Sequence, residues 1–193
     1  MPAAGPSRSS FGKVTMRPKV MRHFSVAITL LLLGLSIAAK ASAIGGMKEY
    51  PDHPPLPSSE IVDQNGEPFS FSRLAGRILV INLWATWCVP CVKEMPALDR
   101  LAASLPRDRF EFAALSQDKG GIAVARPFLE KLNIRSLNLY ADPSGRFYRN
   151  VGAKGLPTTL IVDSAGLLIG RIEGAIDWDT PNVAKYFNSL VAQ

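Results

Sequence analysis

Hydrophobic residues along the 193-residue chain recur with several different periods, and each period predicts an element. Residues 24–39 form a sixteen-residue stretch without a charge, centred on four consecutive leucines at 30–33. Residues 44–59 (IGGMKEYPDHPPLPSS) are rich in Gly, Pro and Ser and carry no apolar period, which predicts an extended tether. Ile61-Val62 and residues 68–71 flank Asn65-Gly66, the signature of a β-hairpin with a tight turn. Residues 77–84 (RILVINLW) are nearly continuously apolar and β-branched, as a buried central strand requires. After them Cys91, Met95, Leu98, Leu101, Ala102 and Leu105 recur at helical spacing and predict one apolar helix face. Pro96 lies inside that helix and should kink it or weaken one turn.

Further along, residues 110–115 predict a strand, 122–132 a helix, 137–140 a short strand and 159–162 another. Residues 167–173 should fold back on 159–162 across 163–166, and Thr180-Pro181 should cap and open a last helix reaching about residue 191. A hairpin, then strands alternating with helices, then a second hairpin and a helix imply an α/β sandwich with parallel central strands.

Charge changes the picture at one end only. The net charge is +6, but residues 1–43 hold six basic residues and no acid, which leaves residues 44–193 balanced. The basicity therefore points to targeting and gives no support to a nucleic-acid partner. Arg17, Lys19 and Arg22 precede the apolar run, and Ala41-Ser42-Ala43 after it has the form of a cleavage site. Two readings stay open: a signal peptide cleaved near Ala43, or an inner-membrane anchor over 24–39, short against the roughly 20 residues of a spanning helix. Either one exports the remainder. The domain plan is thus a leader over 1–43, a flexible tether over 44–59 and a folded domain over 60–193.

Cys88 and Cys91 are the two cysteines of the chain. A disulfide between them closes almost no loop and stabilises little through chain entropy, so its chemistry is the better explanation. Cys-x-x-Cys after a buried strand and at a helix start is more specific than the tetrapeptide alone. The unpaired N–H groups and positive dipole end of a first helical turn favour a thiolate. Cys88, at the entrance, is the candidate nucleophile, and Cys91, one turn in, the resolving thiol. Zinc would need two more ligands. The histidines, His23 and His53, lie in leader and tether.

The run Trp84-Ala85-Thr86-Trp87-Cys88-Val89-Pro90-Cys91, continued by Glu94-Met95-Pro96, resembles the thioredoxin-like thiol-disulfide reductases of the TlpA/ResA type, nearest the TlpA branch. Gly155-Leu156-Pro157-Thr158 resembles the family's second landmark. The resemblance implies a thioredoxin-like three-layer α/β sandwich over about residues 58–193, with an N-terminal β-hairpin and an extra βα insert near 117–132. It implies a cis Pro157 facing the cysteines, Trp87 as an aromatic lid, and a substrate groove shared with Leu156 and Thr158. Glu94, three residues after Cys91, falls on its helix face and could tune the thiols or move protons. Plain thioredoxin has a buried aspartate where this chain has Asn82, which leaves carboxylate assistance to Glu94.

No cofactor or metal is implied beyond the Cys88–Cys91 disulfide. The implied partners are disulfide-containing periplasmic and envelope proteins, such as copper-site assembly factors of cytochrome oxidase or apocytochrome c. The implied electron donor is a membrane thiol transporter of DsbD/CcdA type. Competing readings are a disulfide-introducing oxidase and a copper chaperone on the same fold. The chaperone lacks a histidine after His53, and a peroxiredoxin is disfavoured because Thr86 precedes Cys88 by two positions instead of three.

Overall fold

The computed structural model describes Met1 and residues 44–191; the expectations for 2–43 lie outside the described residues. One sheet is built from β1 (Met47–Glu49), β2 (Ile61–Val62), β3 (Pro68–Phe69), β4 (Ile78–Trp84), β5 (Phe110–Ser116), β6 (Asn138–Ala141), β7 (Thr158–Val162) and β8 (Leu168–Glu173). The helices are α1 (Val89–Ser104), α2 (Ile122–Lys131), α3 (Arg146–Asn150) and α4 (Pro181–Val191), with a 3-10 turn at Phe71–Leu74. Among the described residues no helix is long and apolar enough to cross a membrane.

The strand order is β1-β8-β7-β4-β5-β6-β2-β3. β4, β5 and β6 run parallel, while β7 lies antiparallel to β4 and starts the β7–β8–β1 meander. All seven residues of β4 and of β5 are buried, which explains why they read as continuous apolar runs. Alternate β4 residues feed two cores. Ile78, Val80 and Trp84 pack with Met95, Leu98, Ala125 and Phe187 of α1, α2 and α4. Leu79, Ile81 and Leu83 pack with Phe71 and Phe147, so the sheet lies between two helical layers.

Two features depart from the periodic reading. Residues 44–59 are not a free tether: β1 pairs with β8 from Met47↔Ile172 to Glu49↔Gly170, Pro55 bridges Leu167, and Ile44 is buried. An exposed sheet edge recruits these residues whatever their local propensity. α1 runs from Val89 to Ser104 with Pro96 inside it. α3, absent from the periodic reading, is five residues long and is held by a distant cap: Asp142 accepts hydrogen bonds from the Arg146 and Tyr148 amides. The first hairpin closes as its sequence requires, with Gly66 at φ 84° and Asp63 Oδ1 accepting from the Asn65 and Glu67 amides.

Candidate active site

β4 carries the chain to the carboxyl end of the parallel strands, and the next four residues turn it into α1. Cys88 is the N-cap of that helix, in extended conformation, and its Sγ accepts a hydrogen bond from the Cys91 amide at 3.3 Å. Val89 and Pro90 occupy the first two helical positions, where the missing proline donor costs nothing. Cys88 and Cys91 are joined by a disulfide with Cα atoms 5.3 Å apart. Cys88 is 6% exposed and Cys91 0%, an asymmetry that assigns the approachable sulfur to Cys88. A helix N-terminus and a sulfur-directed amide both stabilise a thiolate at that position once the bond opens.

The turn before the cysteines is held from β5. Asp118 is buried and accepts from the Thr86 amide at 3.0 Å, from Thr86 Oγ1 at 2.8 Å and from Ser116 Oγ at 2.9 Å. The Gln117 amide donates to the Trp84 carbonyl at 2.8 Å. The loop that presents Trp87 and Cys88 is therefore fixed at both ends.

In front of Cys88 lies an open groove of about 680 Å³. Trp87, Val89, Pro90, Leu156 and Tyr148 give it an apolar lining, with Gln117, Arg149 and backbone at Gly145 and Gly155 at its polar margin. Trp87 and Val89 are 69% and 63% exposed, while most other large apolar groups among the described residues are covered. The Leu156–Pro157 peptide is cis. Pro157 is buried and its carbonyl accepts from the Gly174 amide. Thr158 does not line the groove: it is buried, and its Oγ1 donates to the Gly155 carbonyl at 2.8 Å, so it shapes the margin from behind.

Glu94 follows Cys91 by three residues on the same face of α1 and is buried. Its Oε1 accepts from Asn82 Nδ2 at 2.9 Å, and its Oε2 from the Ile176 amide and Trp178 Nε1, each at 3.1 Å. Burial pushes its carboxyl above the ordinary carboxylate value, against the lowering effect of the bonds from Asn82, Trp178 and Ile176. A separate cleft of about 350 Å³, lined by Pro90, Lys93, Ala97 and residues 175–177, reaches this group from the side.

Asn82 also donates to Thr159 Oγ1 at 2.9 Å, across the β4–β7 pairing. Among the described residues Asn82 Oδ1 and Trp84 Nε1 are buried without a partner, two residues apart on the α1-facing side of β4. A core selected for stability alone would place apolar groups there.

The sequence singled out Cys88, Cys91, Glu94 and the 155–158 loop, and the fold brings Cys88, Trp87 and Leu156 to one groove. It also adds residues that no motif marked. Trp178 reaches Glu94 from 84 positions away, and Tyr148 and Arg149 arrive with the unexpected α3. Gln117 alone left a trace, as the residue following a buried strand. Among the described residues no group of three or more His, Cys, Asp or Glu could hold a metal.

Comparison with known proteins agrees with this geometry. The AhpC/TSA family model matches residues 54–170. The thiol-disulfide oxidoreductase ResA of Bacillus thuringiensis subsp. konkukian is 30% identical over 118 residues, covering 61% of this chain and 67% of its own. The thiol:disulfide interchange protein HelX of Rhodobacter capsulatus is 32% identical over 126 residues, covering 65% of this chain and 68% of its own. Among solved structures, a secreted Mycobacterium tuberculosis disulfide oxidoreductase superposes with a TM-score of 0.56 at 19% identity, over 70% of this chain and 96% of that one. That likeness shows the thioredoxin-like fold.

Proposed function

We propose that this chain, which belongs to the AhpC/TSA family and is a thiol-disulfide oxidoreductase, works as a reductant of cysteine pairs in exported proteins. The observation that carries this reading is the division of labour at the helix start. One sulfur stands at a groove and its partner is wholly buried, three residues before a buried carboxyl held by neutral donors. The Cys88 thiolate attacks a substrate disulfide, a mixed disulfide forms and one substrate thiolate leaves. Cys91 loses its proton, attacks Cys88 Sγ and releases the second substrate thiolate. Two electrons pass to the substrate and the Cys88–Cys91 bond forms. Burial three residues after Cys91 and a raised proton affinity support Glu94 as the acceptor of the Cys91 proton in this reading.

The acid-free leader, the apolar run and the Ala41-Ser42-Ala43 sequence support export to the periplasm, either free or held by residues 24–39. A reductant in that oxidising compartment needs an electron supply, for which a membrane thiol transporter of DsbD/CcdA type is the partner proposed. Copper-site assembly factors of cytochrome oxidase and apocytochrome c are the proposed substrates. Cys91→Ser in the native host tests this directly. It should stall mixed disulfides through Cys88, and mass spectrometry of the trapped partners should recover exported proteins with paired cysteines. Good expression with nothing trapped would remove the mechanism.

A further inference from the structure

We propose that the groove beside Cys88 selects disulfide segments carrying an acidic residue close to the attacked cysteine, with Arg149 as the side chain that determines this specificity. The proposal rests on the reductase reading of the same site and names the class of substrate.

The argument starts from an imbalance of charge. Residues 44–193 are neutral overall, yet the stretch between Asp142 and Asp163 contains Arg146, Arg149 and Lys154 and no acid. That stretch forms one bank of the groove, through α3 and the loop to Leu156. Lys119, exposed two residues beyond Gln117, adds a fourth cation at the β5 end.

Nearby carboxylates are already engaged. Asp118 is buried on Thr86 and Ser116, and Asp142 is buried as the cap of α3. Glu173, at the end of β8, is bonded to Arg171 at 2.6 Å. Glu94 is buried on Asn82, Ile176 and Trp178. Among the described residues none of Arg146, Arg149 and Lys154 belongs to an ion pair.

Arg149 is the one of these that lines the groove itself. Its Nη1 donates to the Ser144 carbonyl at 3.1 Å, which fixes the guanidinium along α3 while the rest of its donors stay available. The floor beside it is apolar: Trp87, Val89, Pro90, Leu156 and Tyr148 offer no acceptor except the tyrosine hydroxyl. A peptide lying there buries apolar side chains against that floor and meets one fixed cation at the margin. A carboxylate complements that arrangement, and a lysine is repelled by it.

The test uses the full chain, reduced with dithiothreitol and then freed of it. Its substrates are pairs of short peptides closed by one Cys-x-x-Cys disulfide, identical except for Glu or Gln at one of the positions flanking the cysteines. At low salt the Glu peptide should be reduced about fivefold faster at one position or more, and roughly 1 M salt should close the gap. Arg149→Gln should erase the preference, and Arg149→Glu should reverse it, so that the Gln peptide is reduced faster. If the glutamate variant fails to fold, Arg149→Gln and the salt dependence of the unaltered chain still decide. Equal rates for Glu and Gln at every position, or a preference that survives Arg149→Gln, would overturn the proposal. If no peptide of either kind is reduced, the reductase reading itself falls and takes this one with it.

Discussion

The molecule buries two glutamates in the same sheet-and-helix frame and treats them in opposite ways. Glu111, near the start of β5, is held by a cation and two neutral donors. Arg77 Nη1 lies at 2.8 Å from it, Asn138 Nδ2 at 2.8 Å and the Tyr140 hydroxyl at 2.9 Å. Glu94, three residues after Cys91, is held by three neutral donors and, among the described residues, forms no ion pair. With a cation and two neutral donors on its two oxygens, Glu111 is a structural clamp that joins β5 and β6 to the residue before β4. A buried carboxyl with neutral donors alone is easier to protonate, and burial does raise the proton affinity of Glu94. Placed one helical turn beyond Cys91, such a group is useful for chemistry at some cost to stability.

That contrast can be broken at either end. The largest effect should come from Glu94→Gln, which keeps the volume but removes the proton acceptor. Resolution of the mixed disulfide at neutral pH should slow by about tenfold to a hundredfold, read by quenching and separating the trapped species. Glu111→Gln should leave that rate alone. Its cost belongs to stability, about 2–3 kcal/mol by denaturant unfolding, because the charge opposite Arg77 is lost and one of the two acceptor oxygens becomes an NH2 facing a donor, while Arg77 keeps partial access to water.

The pH dependence of stability follows from the direction of the Glu94 shift. The folded protein binds this proton more tightly than the unfolded chain, whose carboxyl titrates near 4.5. The contribution of Glu94 is therefore fully present below that value and is lost as pH rises through the higher folded one. Unfolding of the oxidised protein should show this decline, and Glu94→Gln should flatten it. Trp178→Phe gives the smallest change. It removes one donor to the ionised carboxylate, so stability should fall by about 1 kcal/mol and the midpoint of the pH profile should move upward.

Much of this was legible in the residues. The apolar run of β4, the thiols after it and the helical face from Cys91 to Leu105 placed the dithiol at a strand-to-helix turn before any coordinates. Glu94 was visible by its spacing from Cys91. Its surroundings were not, since Asn82, Ile176 and Trp178 converge on it from β4 and from the loop before α4, and only tertiary packing sets such meetings. α3 escaped notice because five residues give too short a period, and its cap, Asp142, belongs to the preceding loop. β1 escaped because its three residues are a strand through pairing with β8 and not through their own preference. With α3 went Tyr148 and Arg149, and so the cation that lines the groove.

The direction of electron flow is the central claim, and equilibrium with glutathione measures it most directly. Incubated in buffers of graded glutathione ratio and alkylated, the Cys88–Cys91 pair should titrate on the thioredoxin side, below about −200 mV. A midpoint near the roughly −120 mV of a strong oxidant such as DsbA would contradict the account and make this protein a donor of disulfides.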